Sequence, residues 1–193
     1  MTTYIGLLRA INLAGRNVVP MAGLRDMLLR LGLTEPRSLL QSGNVLFQSR
    51  PRTAAQLEKT LEAELKKQFA VDTDFMVRTA DEWGAIVERN PFPKEAVSDP
   101  GHLLVFCLKD APDAAGIKAL QSAIKGREIV RAVGRQAYIV FPDGVGRSRL
   151  TSAMIEKHLG TRGTGRNWNT VVKLHTLTSV PPTRREALRR ATP

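Results

Sequence analysis

Leu103-Leu104-Val105-Phe106-Cys107-Leu108 is an unbroken apolar run, the pattern of a strand covered on both faces. It decides the fold because it is the second such run. Tyr4-Ile5-Gly6-Leu7-Leu8 has the same character near the N-terminus, and the segments that follow the two runs read as one circuit traversed twice.

After the first run, Pro20 supplies a first-turn residue, and Met21, Leu24, Leu28 and Leu31 line one helical face before Gly32 ends the helix. Ser38-Leu39-Leu40-Gln41 and Val45-Leu46-Phe47-Gln48 flank Ser42-Gly43-Asn44, a hairpin whose glycine and asparagine suit left-handed backbone. A Thr53-x-x-Gln56 capping box opens a helix bearing Leu57, Leu61, Leu65 and Phe69. A strand over Thr73–Arg78 follows, and then a second box, Thr79-x-x-Glu82, opens a short helix with Trp83, Ile86 and Val87 inward. Asn90-Pro91-Phe92-Pro93 and the polar stretch to Pro100-Gly101 cannot continue that helix.

Beyond the second run, Asp113 caps a helix with Ile117, Leu120 and Ile124 on one face. Glu128–Val133 and Gln136–Phe141 form a hairpin about Gly134-Arg135. Ser148 is expected to cap a helix presenting Leu150, Met154, Ile155 and Leu159 and closed by Gly160. A strand near Arg162–Arg166 leads to a helix capped by Asn167, with Val171 and Leu174 at the offsets that Trp83 and Ile86 hold from Thr79. The expected fold is therefore α+β: two consecutive ferredoxin-like (βαββαβ) lobes, each with an extra helix. Residues 1–95 form the first lobe, 96–180 the second and 181–193 a basic tail. The open sheet faces are closed by the extra helices or by the other lobe.

Charge is unevenly distributed: residues 1–126 carry 16 Lys/Arg against 14 Asp/Glu, and residues 127–193 carry 13 against 4. A positive field at one end attracts nucleic acid, phosphorylated metabolites or anionic lipid, and the competing reading is a solvated basic surface. Cys107 is the single cysteine, which excludes an intramolecular disulfide and a C-x-x-C site. The N-terminus lacks a basic leader and no run reaches membrane-spanning length, so a cytoplasmic protein with no membrane partner is expected.

Leu7-Leu8-Arg9-Ala10-Ile11-Asn12, Val19-Pro20-Met21 with Leu24-Arg25, Leu40-Gln41-Ser42-Gly43-Asn44-Val45, Asn90-Pro91-Phe92 and Arg166-Asn167-Trp168-Asn169-Thr170 together resemble the bacterial family of unknown function numbered 1697 (DUF1697). The resemblance runs from Tyr4 to about Leu177. It implies a soluble two-lobed α+β fold and brings no reaction, cofactor or catalytic residue with it. The family pattern has glycine at the place of Ala10, and Gly-Lys where this chain has Ala14-Gly15-Arg16.

Three loops place arginine and glycine before predicted helices, where free amides and the helix dipole favour anions. They are Arg9–Asn17, with Arg9, Asn12, Arg16 and Asn17; Gly144–Ser148 with Arg149, which contributes Arg147 and Arg149; and Arg162–Asn169, with Arg166, Asn167 and Trp168. Asn44, beside Gln41 and Ser42, offers a further polar edge. Capped, solvated loops are the bland alternative, and for Trp168 it is packing between the lobes. None of the loops carries a Walker or G-x-G-x-x-G pattern, His102, His158 and His175 lack metal-ligand spacing, and Cys107 reads as a buried thiol, so neither cofactor nor metal is expected. Glu58, Glu62 and Glu64 read as solvated residues on a polar helix face. The leading expectation is a protein that binds an anionic ligand or nucleic acid through basic loops of the second lobe. The alternatives are an enzyme for a phosphorylated or carboxylated metabolite in the inter-lobe cleft, clamped by Arg9, Asn12 and Arg166, and a structural homo-oligomer.

Overall fold

A computed structural model describes residues 1–12 and 15–179, so the basic tail lies outside the described residues. The first circuit is β1 (Thr2–Leu8), α1 (Met21–Arg30), β2 (Thr34–Leu39), β3 (Asn44–Ser49), α2 (Ala54–Phe69), β4 (Phe75–Thr79) and α3 (Ala80–Glu88). After α4 (Pro93–Ser98) the second comprises β5 (Leu103–Leu108), α5 (Ala114–Ala123), β6 (Ile129–Val133), β7 (Gln136–Val140), α6 (Ser152–Leu159), β8 (Gly163–Asn167) and α7 (Trp168–Ser179). The sheets are antiparallel, with orders β2-β3-β1-β4 and β6-β7-β5-β8, so each opening strand is internal to its sheet.

Three apolar layers follow. Tyr4, Leu8, Phe47 and Phe75 on one face of the first sheet pack on Leu24 and Leu28 of α1 and Leu57, Leu61 and Leu65 of α2. Phe106 and Ile139 of the second sheet pack on Leu120 of α5 and Ile155 of α6. Between the lobes, Ile5, Leu7 and Met76 meet Val105, Cys107 and Tyr138, with Trp83 of α3 and Val171 and Leu174 of α7 completing the layer. Each sheet is thus buried on both faces, as its unbroken apolar opening strand requires. The Trp83 indole N–H donates to the Val171 carbonyl at 3.0 Å, and the Tyr138 hydroxyl to the Ile86 carbonyl at 2.7 Å, so these two polar groups inside the layer are satisfied.

Local chemistry sets most element ends. Both capping boxes form, Thr53 with Gln56 and Thr79 with Glu82, and Asp113 accepts from the Gly116 amide. Four expectations are corrected. Thr151, not Ser148, caps α6: its side chain accepts from the Met154 amide, while the Ser148 hydroxyl bonds Glu128 and accepts from the Leu150 amide after the single 3-10 turn Val145–Arg147. The first hairpin turns over residues 40–43, with Leu40 and Gly43 left-handed and Asn44 already in β3. Pro93 starts a new helix, α4, where only a break is expected from sequence, because proline fits a first turn. Pro20 is the residue before α1 rather than in its first turn.

No helix among the described residues is long and apolar enough to cross a membrane.

Candidate functional site

Two buried arginines tie the lobes together in the same way. Arg78 of β4, 2% exposed, donates from Nη2 to the carbonyls of Leu108 (2.6 Å) and Arg135 (2.9 Å), and from Nη1 to that of Val77 (2.9 Å). Arg166 of β8, 8% exposed, donates from Nη2 to the carbonyls of Leu8 (3.0 Å) and Ser42 (2.9 Å), and from Nη1 to that of Gly165 (2.8 Å). Each arginine therefore reaches the end of the other lobe's opening strand and the turn of its hairpin. Arg166 also donates to Thr164 Oγ1 at 2.7 Å and to Asn44 Oδ1. Burial pulls both guanidiniums below their ordinary value; around Arg78 the charge of Arg135 adds to the pull, and those of Glu82 and Glu58 oppose it. Arg166 is pulled down to about 10, with no carboxylate among the described residues opposing it.

The outer edges of β4 and β8 are quasi-equivalent in the same register: Leu8 pairs with Phe75 and Leu108 with Gly163. Every second amide of such an edge points away from the sheet and needs an acceptor. On β4, Phe75 donates to Glu62 (2.8 Å) and Val77 to Glu58 (2.7 Å), and Lys109 bonds Glu62. Glu58 and Glu62 are thus edge acceptors, which corrects the expectation of a solvated face; Glu58 is 6% exposed. Burial raises the Glu58 carboxyl above the ordinary range, against the Val77 amide and the charges of Lys109, Arg78 and Arg135.

On β8, Gly163 donates to Glu156 at 3.0 Å, and Arg9 grips that carboxylate with Nε at 2.6 Å and Nη2 at 2.7 Å. At the edge of the second lobe, Glu156 and the first lobe's Arg9 therefore stand as Glu62 and the second lobe's Lys109 stand at the edge of the first. Desolvation works against ionisation of Glu156, but the Arg9 hydrogen bond, the Gly163 amide and the charges of Arg9 and Arg162 together hold it below the ordinary range. Four residues before Glu156, where Glu58 would stand, is Ser152, and no side chain among the described residues accepts the Gly165 amide. Ser152 and Gly165 escape a reading of sequence motifs; aligning the two circuits on Glu62 and Glu156 exposes them.

A cleft of about 470 Å³ opens at that point, lined by Arg9 and Ser42 of the first lobe and by Phe106, Ser152, Gly165 and Arg166 of the second. The three predicted loops thus each contribute to one cleft, though not through all of their predicted residues. Asn12 is committed to its own loop, donating to the carbonyls of Val19 (3.1 Å) and Gln41 (2.8 Å) and accepting from the Val19 amide (2.8 Å). Asn17 donates to the Ala10 carbonyl at 3.0 Å, and Arg16 is exposed. Asn44 is fully buried behind Arg166, Asn167 accepts from the Thr170 amide at 3.0 Å as the cap of α7, and Trp168 is 7% exposed in the layer between the lobes. Ala10 holds φ of 47°, a left-handed conformation that explains glycine in the family pattern.

Arg147 and Arg149 are exposed on a neighbouring cavity of about 380 Å³. Lys125 shares its rim, and Ile124, Phe141, Leu150 and Met154 form its apolar floor. None of these three cations has an ion-pair partner among the described residues, whereas Arg127 pairs with Asp143 at 2.9 Å, Arg135 with Glu82 at 3.1 Å and Arg162 with Asp74 at 3.1 Å.

A family model described as protein of unknown function (DUF1697) matches residues 1–138. Nothing matches among curated proteins. The structure of conserved bacterial protein SP0830 from Streptococcus pneumoniae is similar, with a TM-score of 0.73 and 23% identity over 91% of this chain and 98% of that one, a likeness of fold.

Proposed function

The chain belongs to the DUF1697 family, and from that premise we propose a binding protein whose second lobe holds an anionic ligand, with nucleic acid as its polymeric form. The observation that supports this reading is the grouping of Lys125, Arg147 and Arg149, without ion-pair partners among the described residues, around one cavity with an apolar floor, whose two carboxylates are engaged elsewhere, Asp143 with Arg127 and Glu128 with Ser148. Cations on a rim above apolar surface suit a ligand that joins anionic groups to an uncharged body. The metabolite-enzyme reading gains no comparable support, because Arg9, Asn12 and Arg166 all hold protein groups.

Fluorescence-polarisation titration against short single-stranded RNA and DNA at low and moderate salt tests the proposal. Binding at micromolar protein that weakens with salt is expected. The Arg147→Glu/Arg149→Glu double variant should lose at least about tenfold in affinity while melting like the parent. Unchanged affinity in that variant, or binding without a salt slope, refutes the assignment.

A further inference from the structure

We infer that the cleft between the lobes is a binding site for a small apolar carboxylic acid, whose carboxylate accepts the Gly165 amide in the place that Glu58 occupies in the first lobe. The inference goes beyond the basic-rim reading and does not depend on it.

The chain carries its own template for the missing group. In the first lobe α2 begins at Ala54, so Glu58 is already helical and lies against β4, where its carboxylate accepts the Val77 amide. In the second lobe the corresponding segment, residues 148–151, is not helical, and α6 begins only at Ser152. The shorter helix leaves a cavity beside the edge amide, and Ser152, which stands in the place of Glu58, offers it no carboxylate. Gly165 is half-buried and lines the cleft. The surrounding charge also lacks a carboxylate. Arg78 has Glu58 and Glu82 in its field, whereas Arg166, otherwise bonded alike, faces neutral oxygens: the carbonyls of Leu8, Ser42 and Gly165, the Thr164 hydroxyl and the Asn44 amide oxygen. Arg9 brings no excess charge, since Glu156 neutralises it.

A ligand carboxylate at the Glu58-equivalent position would give the Gly165 amide its acceptor and Arg166 a counter-charge, with the Ser152 hydroxyl alongside as a further donor. The ligand's remaining body then lies on Leu104, Phe106, Phe141, Leu150 and Ile155, which selects an apolar acid. The cleft volume falls within the roughly 300–1,000 Å³ of small-molecule sites.

The test uses the full chain with phenylacetate and octanoate as probes, phenylacetamide as the uncharged control, and ¹H–¹⁵N spectra with calorimetry as readouts. Both acids should shift the Gly165 amide resonance, and phenylacetamide should bind at least about tenfold more weakly than phenylacetate. Ser152→Glu, which restores the first lobe's carboxylate, should abolish the Gly165 response and weaken acid binding at least about tenfold, while Ser152→Gln weakens it less. Arg147→Glu/Arg149→Glu should leave acid binding within about twofold, because it alters the other cavity. The inference is overturned if neither acid binds, if the amide control binds equally, or if Ser152→Glu has no effect. Acid binding lost in the Arg147/Arg149 variant but kept in Ser152→Glu would sustain the basic-rim reading and remove this one. Nucleic-acid binding unaffected at Arg147 and Arg149, alongside acid binding abolished by Ser152→Glu, would do the reverse.

Discussion

In the first lobe the outward amides of Phe75 and Val77 both end on carboxylates of α2; in the second, Gly163 ends on Glu156 while Gly165 faces a cleft. The two edges share strand register, arginine placement and cross-lobe bonds, so the difference comes from a helix one turn shorter and from serine in the place of Glu58. A sheet edge can be closed by its own helix or left to an external acceptor, and a duplicated circuit displays both solutions in one chain.

The comparison is most severely tested at the two arginines. Arg78→Leu and Arg166→Leu each leave cross-lobe carbonyls buried without donors. Urea unfolding should show a loss of about 3–5 kcal/mol for Arg78 and a smaller one, about 2–3 kcal/mol, for Arg166, because the second change also removes a buried charge that lacks a counter-ion. Equal losses, or the reverse order, would break the asymmetry.

A pH series sharpens it next. Glu156 is held below the ordinary carboxyl range, so its pairing with Arg9 contributes stability above its unfolded value, and that contribution is lost as pH falls through the lower folded value. Glu58 is raised by burial and works the other way: below neutrality the folded state takes up its proton before the unfolded chain does, which favours folding as pH falls. Glu156→Gln should therefore cost about 1–2 kcal/mol at neutral pH and flatten the acid limb of the stability curve. An acid limb identical to the parent's would show that the Arg9–Glu156 pair does not hold the cleft wall.

The smallest effect is expected at Ala10. Its φ of 47° strains an L side chain, so Ala10→Gly should raise stability by about 0.5–1 kcal/mol in thermal or urea melts. A destabilised variant would mean that Ala10 is not left-handed in solution.

Where a few neighbouring residues decide an element, its identity was legible in the sequence. The capping boxes at Thr53 and Thr79, the caps at Asp113 and Asn167 and the hairpin at Gly134-Arg135 depend on spacing within a single turn. The start of α6 was not legible, since Ser148 and Thr151 are both competent caps and the Ser148 hydroxyl is drawn to Glu128, distant in sequence. Glu58 shows the same limit. Its helix position predicts a solvated face, and the edge strand that claims it lies nineteen residues away. Of the candidate site, the three loops were visible from their arginines and glycines, but the division of those arginines between clasp and open rim was not.

Apolar continuity and periodicity, read along the chain, determined that this protein runs one circuit twice and buries both sheets on both faces, because burial of apolar surface is set by which residues share a face. Tertiary structure alone decided that Arg166 became a strut between lobes, that Glu58 became a strand's acceptor and that Ser152 left a cleft. Hydrogen-bond partners are chosen by distances between elements remote in sequence, and those distances exist only once the sheets have stacked.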